Sequence, residues 1–379
     1  MFPNILKSDA VKTEILNRIE TANLKEGDPV CREKDLMALC EVSRITVRSA
    51  ISQLSREGKV FSVKGKGLYV GNFTDYAHPR NTKIKSIELI TPIFHGEDQK
   101  EHWGAFSVVA EMEKFIRHDA GYKISLSFTH GDVRAERRVL ENAVSDANSA
   151  IIFEPSFTST QNILKKEIQI LSKSGKPFIV SERFVPLEVN NVYEDDSHGA
   201  WLATSHLIRN GHSSILHMNF AGDYLENRRK GYKKALIENN IPVREGLIYE
   251  RDLDVKDDKY VLKYEDFFEL GYQAVKETMG KEKFTAIFAI SDMAALGAIK
   301  ALEEIGLKVP QDVSVVGYDN RAVAEKSNLT SIERPFSEMG RVIAETIVGK
   351  IREKDLSSVT RIGVKPRLVE RGSVRMVRR

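Results

Sequence analysis

Residues 41–70 read EVSRITVRSAISQLSREGKVFSVKGKGLYV. Ser43 is placed to cap a helix over about 44–57, because its hydroxyl can accept a free backbone N–H of the first turn. Val47, Ile51 and Leu54 recur on one face of that helix and point inward. Gly58 follows, suited to the left-handed residue that ends a helix. Two short strands, Val60–Val63 and Leu68–Val70, are joined by Lys64-Gly65-Lys66-Gly67. Upstream, Val11, Ile15, Leu16 and Ile19 form one apolar stripe over residues 8–22, residues 25–29 (KEGDP) carry turn chemistry, and a second short helix is expected at about 32–39. Three helices and a basic, glycine-tipped hairpin outline a small α+β winged helix-turn-helix.

The charge supports that outline. The 379-residue chain has a net charge of +3, but residues 1–83 hold 14 Lys/Arg against 10 Asp/Glu. From Ser43 to Lys66, Arg44, Arg48, Arg56, Lys59, Lys64 and Lys66 face only Glu57. A basic face confined to one small unit is the footprint of a nucleic-acid reader, although a solvated helix face gives the same composition. Arg44 and Arg48 lie one turn apart on the third helix and can each grip a guanine edge or a phosphate. Thr46 can bond a phosphate or touch a thymine methyl. Lys64 and Lys66 would carry the wing to the adjacent backbone, with Gly65 and Gly67 permitting close approach.

Residues 72–83 (NFTDYAHPRNTK) lose all periodicity and read as a linker. Beyond them strands and helices alternate for almost 300 residues. Strands are expected at Ile84–Pro92, Lys123–Phe128, Ala150–Phe153, Phe178–Val180, Ser214–Met218, Ala286–Ala289 and Ser314–Gly317. Helices are expected at Val108–His118, Arg134–Ser145, Ser197–Arg209, Asn227–Glu238, Tyr264–Met279 and Asp292–Ile305. Such alternation implies parallel sheets with crossover helices, and the length implies two lobes that bind a ligand between their strand ends. The expected division is therefore 1–71, linker 72–83, and 84–379.

No apolar run is long enough to span a bilayer, and the first residues lack the pattern of a secretory signal, so a cytoplasmic protein without a membrane partner is expected. Cys31 and Cys40 suggest neither a disulfide framework nor a zinc site. His198, His206, His212 and His217 invite a metal reading, but His206 falls within a helix and His212 in a turn, so neither a metal nor another cofactor is expected. P-loop, Gly-x-Ser-x-Gly and HExxH motifs are absent from the sequence, and no enzyme activity is expected.

The segments LKEGDPV (24–30), EVSRITVRSAISQLSREGKV (41–60) and KGKGLYV (64–70) resemble the GntR family of regulators over about residues 5–71. The resemblance implies DNA contact by Lys34, Arg44, Thr46, Arg48 and Gly67, beside Ser43, Lys64, Gly65 and Lys66 from the residue chemistry. One departure is Cys31-Arg32 where the family has Pro-Ser, which removes a hydroxyl cap. Residues 84–375 resemble the effector-binding domain of the LacI/galactose-repressor family, in DDSHGAWLATSHLIRNGHSSILHM (195–218), NRRKGYKKAL (227–236), TAIFAISDMAALGAIKALEEIGLKVPQDVSVVGYDN (285–320), LTSIERPFSEMGRVIAETIVGKI (329–351) and PRLVERGSV (366–374). The combination is similar to the arabinose-repressor group. It implies a two-lobed, periplasmic-binding-protein-like sensor of a small sugar, with Arg228 and Asp319 clamping hydroxyls and Phe106 and Phe336 as cleft walls. Trp103 lies near Phe106, Asp195 follows a strand, and Ser291 replaces the family's asparagine before Asp292. The resemblance further implies double-stranded operator DNA as partner and a homodimer whose operator affinity responds to the sugar. A transport-associated sugar-binding protein is the competing class, carried by the second domain alone.

Overall fold

The computed structural model describes residues 7–25, 28–63, 67–71, 84–92, 103–156, 161–220, 226–251, 264–352 and 358–377. The chain divides into two compact units, Met1–Thr82 and Lys83–Arg379. Residues 72–83, expected as the linker, lie outside the described residues, as do Lys64, Gly65 and Lys66 at the hairpin tip.

In the first unit, helices α1 (Lys7–Thr21), α2 (Glu33–Cys40) and α3 (Arg44–Arg56) pack on strands β1 (Pro29–Cys31), β2 (Val60–Val63) and β3 (Gly67–Val70). Val11, Ile15, Leu36, Val47, Ala50, Leu54, Val60 and Leu68 form its core. Residues 25–29 were expected as a turn alone, yet Pro29 opens β1, which pairs antiparallel with β3 at the sheet edge. An edge strand tolerates the missing proline N–H. Gly67 has φ +131, and a Cβ there would lie 2.8 Å from the Cys31 carbonyl oxygen, so β1 needs this glycine. Arg32 makes no side-chain cap in place of the hydroxyl; the reverse half of the usual box remains, the Arg32 N–H donating to Asp35 Oδ2 at 3.1 Å. Ser43 caps α3, accepting the Thr46 N–H at 3.3 Å, and Gly58 takes φ 67 past its end.

The second unit has two lobes. Lobe one contains β4 (Ser86–Thr91), α4 (Trp103–Lys114), β5 (Lys123–Phe128), α5 (Val133–Ser145), β6 (Ser149–Phe153), α6 (Gln161–Lys173), β7 (Phe178–Glu182) and β8 (Asn191–Glu194). The chain then enters lobe two: α7 (Asp196–Arg209), β9 (Ile215–Phe220), α8 (Glu226–Glu238), β10 (Ile248–Arg251), α9 (Tyr264–Thr278), β11 (Ala286–Ala289), α10 (Asp292–Glu304), β12 (Ser314–Asp319), α11 (Ala322–Lys326) and β13 (Thr330–Glu333). It returns to lobe one with α12 (Phe336–Arg352) and β14 (Arg361–Val364), and ends in lobe two with β15 (Arg367–Val369). The sheet orders are β14-β8-β7-β6-β4-β5 and β10-β9-β11-β12-β13-β15, parallel except where β15 meets β13. The central strands β6 (SAIIF) and β11 (AIFA) are fully buried and almost wholly apolar, as parallel strands covered on both faces are.

The expected strands and helices are present with ends shifted by a few residues. The largest shift is in α4, which starts at Trp103 and not at Val108, and closes in a π-turn at Phe115–Asp119. The segments missed are mostly strands of three or four residues (β8, β10, β13, β14 and β15), too short for periodicity to register.

The lobes are joined at Glu194–Asp196, Arg334–Pro335 and Lys365–Pro366. The Asp195 N–H donates to the Val364 carbonyl at 2.9 Å, tying the first crossing to the third. In lobe two, α7 and α8 approach closely at Gly231, where a Cβ would stand 2.1 Å from the Ser197 carbonyl oxygen. That approach brings Arg228 on α8 to Asp196 at the start of α7. Gly231→Ala is therefore expected to destabilise the second unit by about 1–3 kcal/mol, the usual cost of overpacking. Thermal melting checks this, and an unchanged Tm would show that the two helices separate freely.

Candidate functional site

Two surfaces carry chemistry, one in each unit. On α3, Arg44 and Arg48 are both well exposed and both meet one carboxylate. Arg44 Nε lies 3.0 Å from Glu33 Oε2, and Arg48 Nε lies 3.2 Å from the same oxygen. Burial works to raise the Glu33 pKa, but the hydrogen bonds from Arg44 and Arg48 hold it below its ordinary value. Each guanidinium thus uses its Nε edge on Glu33, and the pair is spaced by a residue of the neighbouring helix. Lys34 is exposed beside Glu33, and Thr46 is half-buried with its hydroxyl 3.0 Å from that of Ser43. Between Arg44 and Thr46 stands Ile45, 82% exposed, an apolar side chain that the folding of this unit does not use. The sequence reading passed over Ile45. Its signal was a β-branched apolar residue outside the inward Val47–Ile51–Leu54 stripe.

The second surface is the cleft where strand ends of both lobes converge. Lobe one contributes Thr91, Glu154, Glu182 and Glu194, each at or just past the carboxyl end of a strand. Lobe two contributes Ser291, Asp319 and, from α8, Arg228. Arg228 is buried, donates from Nε to Asp196 Oδ1 at 2.7 Å and from Nη1 to the Ile290 carbonyl, and lies 3.6 Å above the Tyr318 ring. Tyr318 donates its hydroxyl to Glu194 Oε1 at 2.7 Å. Arg334, on the second crossing, donates to Glu194 Oε2 at 2.5 Å, reaches Glu182 Oε2 at 3.6 Å and covers the Phe336 ring at 4.6 Å.

Asp319 has φ 105 and Glu182 has φ 69, so a strand-end carboxylate from each lobe sits in the left-handed region. Non-glycine residues hold that conformation only where the surroundings over-determine it. For Asp319 the restraint is Asp292, buried beneath it. Asp292 accepts the Ser331 hydroxyl at 2.5 Å and the Arg321 N–H at 2.7 Å, and Ser331 in turn accepts the Asn320 N–H at 3.1 Å.

The crowding of carboxyls is visible in their protonation. Burial, then the Glu154 charge, pushes Glu182 up to about 8. Burial raises Glu154 to about 7 and Asp319 to about 6. Burial, then the Asp319 charge, raises Asp292 to about 7. Glu194 goes the other way: burial works to raise it, but the charges of Arg334 and Arg228 hold it low.

Of the residues singled out from sequence, Arg228 and Asp319 fall together in this cluster. Asp195 is adjacent, but its carboxylate caps α7 by accepting the His198 N–H at 3.0 Å, while Asp196 meets Arg228. Ser291 caps α10, accepting the Ala294 N–H at 3.1 Å. Phe336 packs under Arg334 at the start of α12. Phe106 is half-buried on the first turns of α4, and Trp103 opens that helix. Glu154, Glu182, Glu194, Asp196, Tyr318 and Arg334 were not singled out. Their common signal was a polar residue directly after an apolar run, at the strand end where such clefts form.

The four histidines have separate partners. His217 stacks between Tyr232 and Phe288, 5.0 and 4.9 Å from their centroids. His212 bonds Thr285 and the Arg375 carbonyl, His206 faces Glu370, and His198 stacks on Trp201. Among the described residues, no helix is long and apolar enough to cross a membrane.

Residues 7–70 match the model of bacterial regulatory proteins of the gntR family, and residues 204–374 match that of a periplasmic binding protein-like domain. The chain is 34% identical to the HTH-type transcriptional repressor PurR of Actinobacillus pleuropneumoniae serotype 3, over 90% of this chain and 98% of that one. It is 27% identical to the arabinose metabolism transcriptional repressor of Geobacillus stearothermophilus, over 97% of each. Among solved structures, a complex of the transcriptional regulator CelR with cellobiose superposes with a TM-score of 0.62 at 23% identity, covering 88% of this chain and 92% of that one.

The buried acids set the response of stability to pH. Glu154, Glu182 and Glu167 (the last raised by burial, then by Glu136, to about 9) titrate far above the usual glutamate value of about 4.3. Between those limits the native state holds more protons than the unfolded one, so stability falls as pH rises. His217, depressed by burial to about 3, acts oppositely below about pH 6.5, where only the unfolded state takes its proton. The melting temperature is expected to drop from about pH 6.5 to about pH 8.5, and Glu182→Gln should flatten the slope. A Tm that climbs through that range would contradict this charge assignment.

Proposed function

The chain belongs to the bacterial helix-turn-helix transcriptional repressors that join a DNA-binding unit to a periplasmic-binding-protein-like sensor, and from that premise we propose that it is a cytoplasmic, dimeric repressor of carbohydrate-utilisation genes, released from its operator by a small sugar. The observation that carries this reading is the joining, in one chain, of a gntR-type reader to a two-lobed cleft whose strand ends present planar hydrogen-bonding groups. Residues 1–71 read DNA, 72–83 connect, and 84–379 sense.

In the reader, Arg44 and Arg48 turn their Nη groups to a guanine edge or a phosphate while Glu33 holds their Nε sides. Ser43, Thr46 and Lys34 serve the backbone, as do Lys64, Gly65, Lys66 and Gly67. Ile45 supplies an apolar contact for a thymine methyl. A dimer places two such helices on half-sites of a pseudo-palindrome.

In the sensor, Arg228 and Asp319 pair with vicinal hydroxyls, because a guanidinium fork and a carboxylate each span two adjacent groups. Phe106, Phe336 and Trp103 line the walls, and Ser291 and Asp195 add shorter polar contacts at helix starts. Sugar bound between the lobes favours one lobe angle through its differential affinity for the two states, a coupling of about 1–3 kcal/mol in typical cases. That the cellobiose complex of CelR shares the fold supports a sugar as the ligand class.

Fluorescence anisotropy with DNA from upstream of the protein's own gene tests the reading. At fixed salt, one member of a pentose and hexose panel should weaken binding about tenfold. Arg44→Ala should cost about 1–3 kcal/mol if it reads a base, or lower the salt slope by about 1 if it holds a phosphate. Specific binding that no sugar alters would remove the sugar. Failure to find any specific site, by genomic selection as well, would remove the repressor.

A further inference from the structure

The charge in the cleft exceeds what a neutral sugar requires. Among the described residues, five carboxyls converge there: Glu154, Glu182 and Glu194 from lobe one, Asp196 at the first crossing and Asp319 from lobe two. Arg228, Arg334 and, more exposed, Arg321 face them. Arg228 is 2.7 Å from Asp196, and Arg334 is 2.5 Å from Glu194, so each sits against one carboxylate. Glu154, Glu182 and Asp319 have no such close ion pair. Glu154 takes the Thr91 hydroxyl at 2.7 Å. Asp319 is 3.7 Å from Arg321, whose side chain is one-third exposed. Glu182 is the least satisfied of the three. Its Oε2 lies 3.6 Å from Arg334, and its Oε1 is buried with no hydrogen-bond partner. An orphaned carboxyl oxygen in a low-dielectric site is costly unless a proton or a cation reaches it.

Resting on the sugar reading above, we propose that the ligand of this cleft is a hydroxylated molecule carrying a protonated amine, an amino sugar being the simplest case, with the ammonium group facing Glu154 and Glu182. An ammonium offers three donors and one positive charge to two carboxyls that are short of both. A neutral sugar offers hydroxyls that suit Arg228 and Asp319 but leaves Glu154 and Glu182 to be neutralised by protons alone. Closing the lobes over it would then require both glutamates to be protonated. The groups that face this pair are Arg334, Glu194, Asp196 and, behind Glu154, Glu136. Arg334 and Arg228 already stand against Glu194 and Asp196.

The two ligand classes differ in the sign of their proton linkage. Glu154 and Glu182 titrate at about 7 and about 8, so both are partly protonated at neutral pH. A cation favours their ionised forms, so its binding releases protons and tightens as pH rises from about 5.5 to about 7, below the α-amino-like value of about 7.7–8.0 at which a 2-amino sugar loses its charge. A neutral ligand favours the protonated forms, takes up protons and loosens as pH rises through about 7 to about 8.

The test is calorimetric binding of matched pairs to the full chain: glucosamine against glucose, galactosamine against galactose, and mannosamine against mannose. Each pair is measured in two buffers of different ionisation enthalpy, with operator release read by anisotropy in parallel. The expected result is an amino sugar that binds at least about tenfold tighter than its neutral partner, releases protons and lifts the protein from DNA. Glu182→Gln should cut that preference about tenfold, and Glu182→Asp should restore part of it, with thermal melting confirming that each variant folds. A neutral sugar that binds tighter, takes up protons and releases the operator would overturn the amine while leaving the sugar-responsive repressor intact. If no sugar of either kind binds, the sugar reading falls and this inference falls with it.

Discussion

The pair between Glu194 and Arg334 holds the second unit together at its narrowest place. Glu194 ends the last strand before the chain leaves lobe one, and Arg334 lies where the chain comes back. Their 2.5 Å contact joins the first and second crossings, and the Tyr318 hydroxyl brings the end of β12 to the same carboxylate. The third crossing is bound to the first through the Asp195 N–H and the Val364 carbonyl. Three chain segments that could each flex alone are therefore stitched into one hinge. Pro335 and Pro366 fix φ in two of them and remove further freedom. On the proposed reading, crossings tied together in this way would favour two defined lobe angles over a continuum.

The stitching also determines the chemistry of the cleft. Glu194 can be an ion in a buried place only because Arg334 and Arg228 are near, and Arg228 is near only because Gly231 lets α8 close onto α7. Once those guanidiniums are engaged, the carboxyls left over must find their charge balance elsewhere. Burial drives them toward protonation, which makes the cleft responsive to whatever supplies a proton or a cation. On the proposed reading, the same residues that connect the lobes would also set what the cleft accepts.

Much of this could be read from the residues alone. The reader was legible in the Ser43 cap, the Val47–Ile51–Leu54 stripe and Gly58, because each rests on local backbone chemistry. The long alternation of strands and helices gave the two lobes, and Arg228 and Asp319 came from short segments with a family likeness. What the sequence hid were contacts between distant positions. The bond from the Arg32 N–H to Asp35 required the register of one helix turn. Asp196, not its neighbour Asp195, meets Arg228, and one step along a helix start decides which carboxylate caps and which pairs. Glu154, Glu182 and Arg334 are far apart in sequence and unremarkable singly, and their meeting depends on strand order, which periodicity does not encode. Strands β8, β13, β14 and β15, the very elements that bound the hinge, were too short to register.

If α3 reads DNA as proposed, the arrangement of its arginines would serve specificity as well as attraction. A free arginine has five donors on a flexible stem and loses that freedom when it meets DNA. Here Glu33 holds the Nε side of both Arg44 and Arg48, so part of the ordering is done before any duplex arrives. The carboxylate also cancels one positive charge of the reading face, which lowers the sequence-independent attraction to phosphates. Less indiscriminate attraction and more preset geometry both shift the balance toward base-edge contacts. Ile45, standing exposed between these polar groups, adds a surface that gains nothing from phosphate and can gain only from an apolar base edge. On the proposed reading, a face built this way would discriminate by what it withholds from the backbone as much as by what it offers the bases.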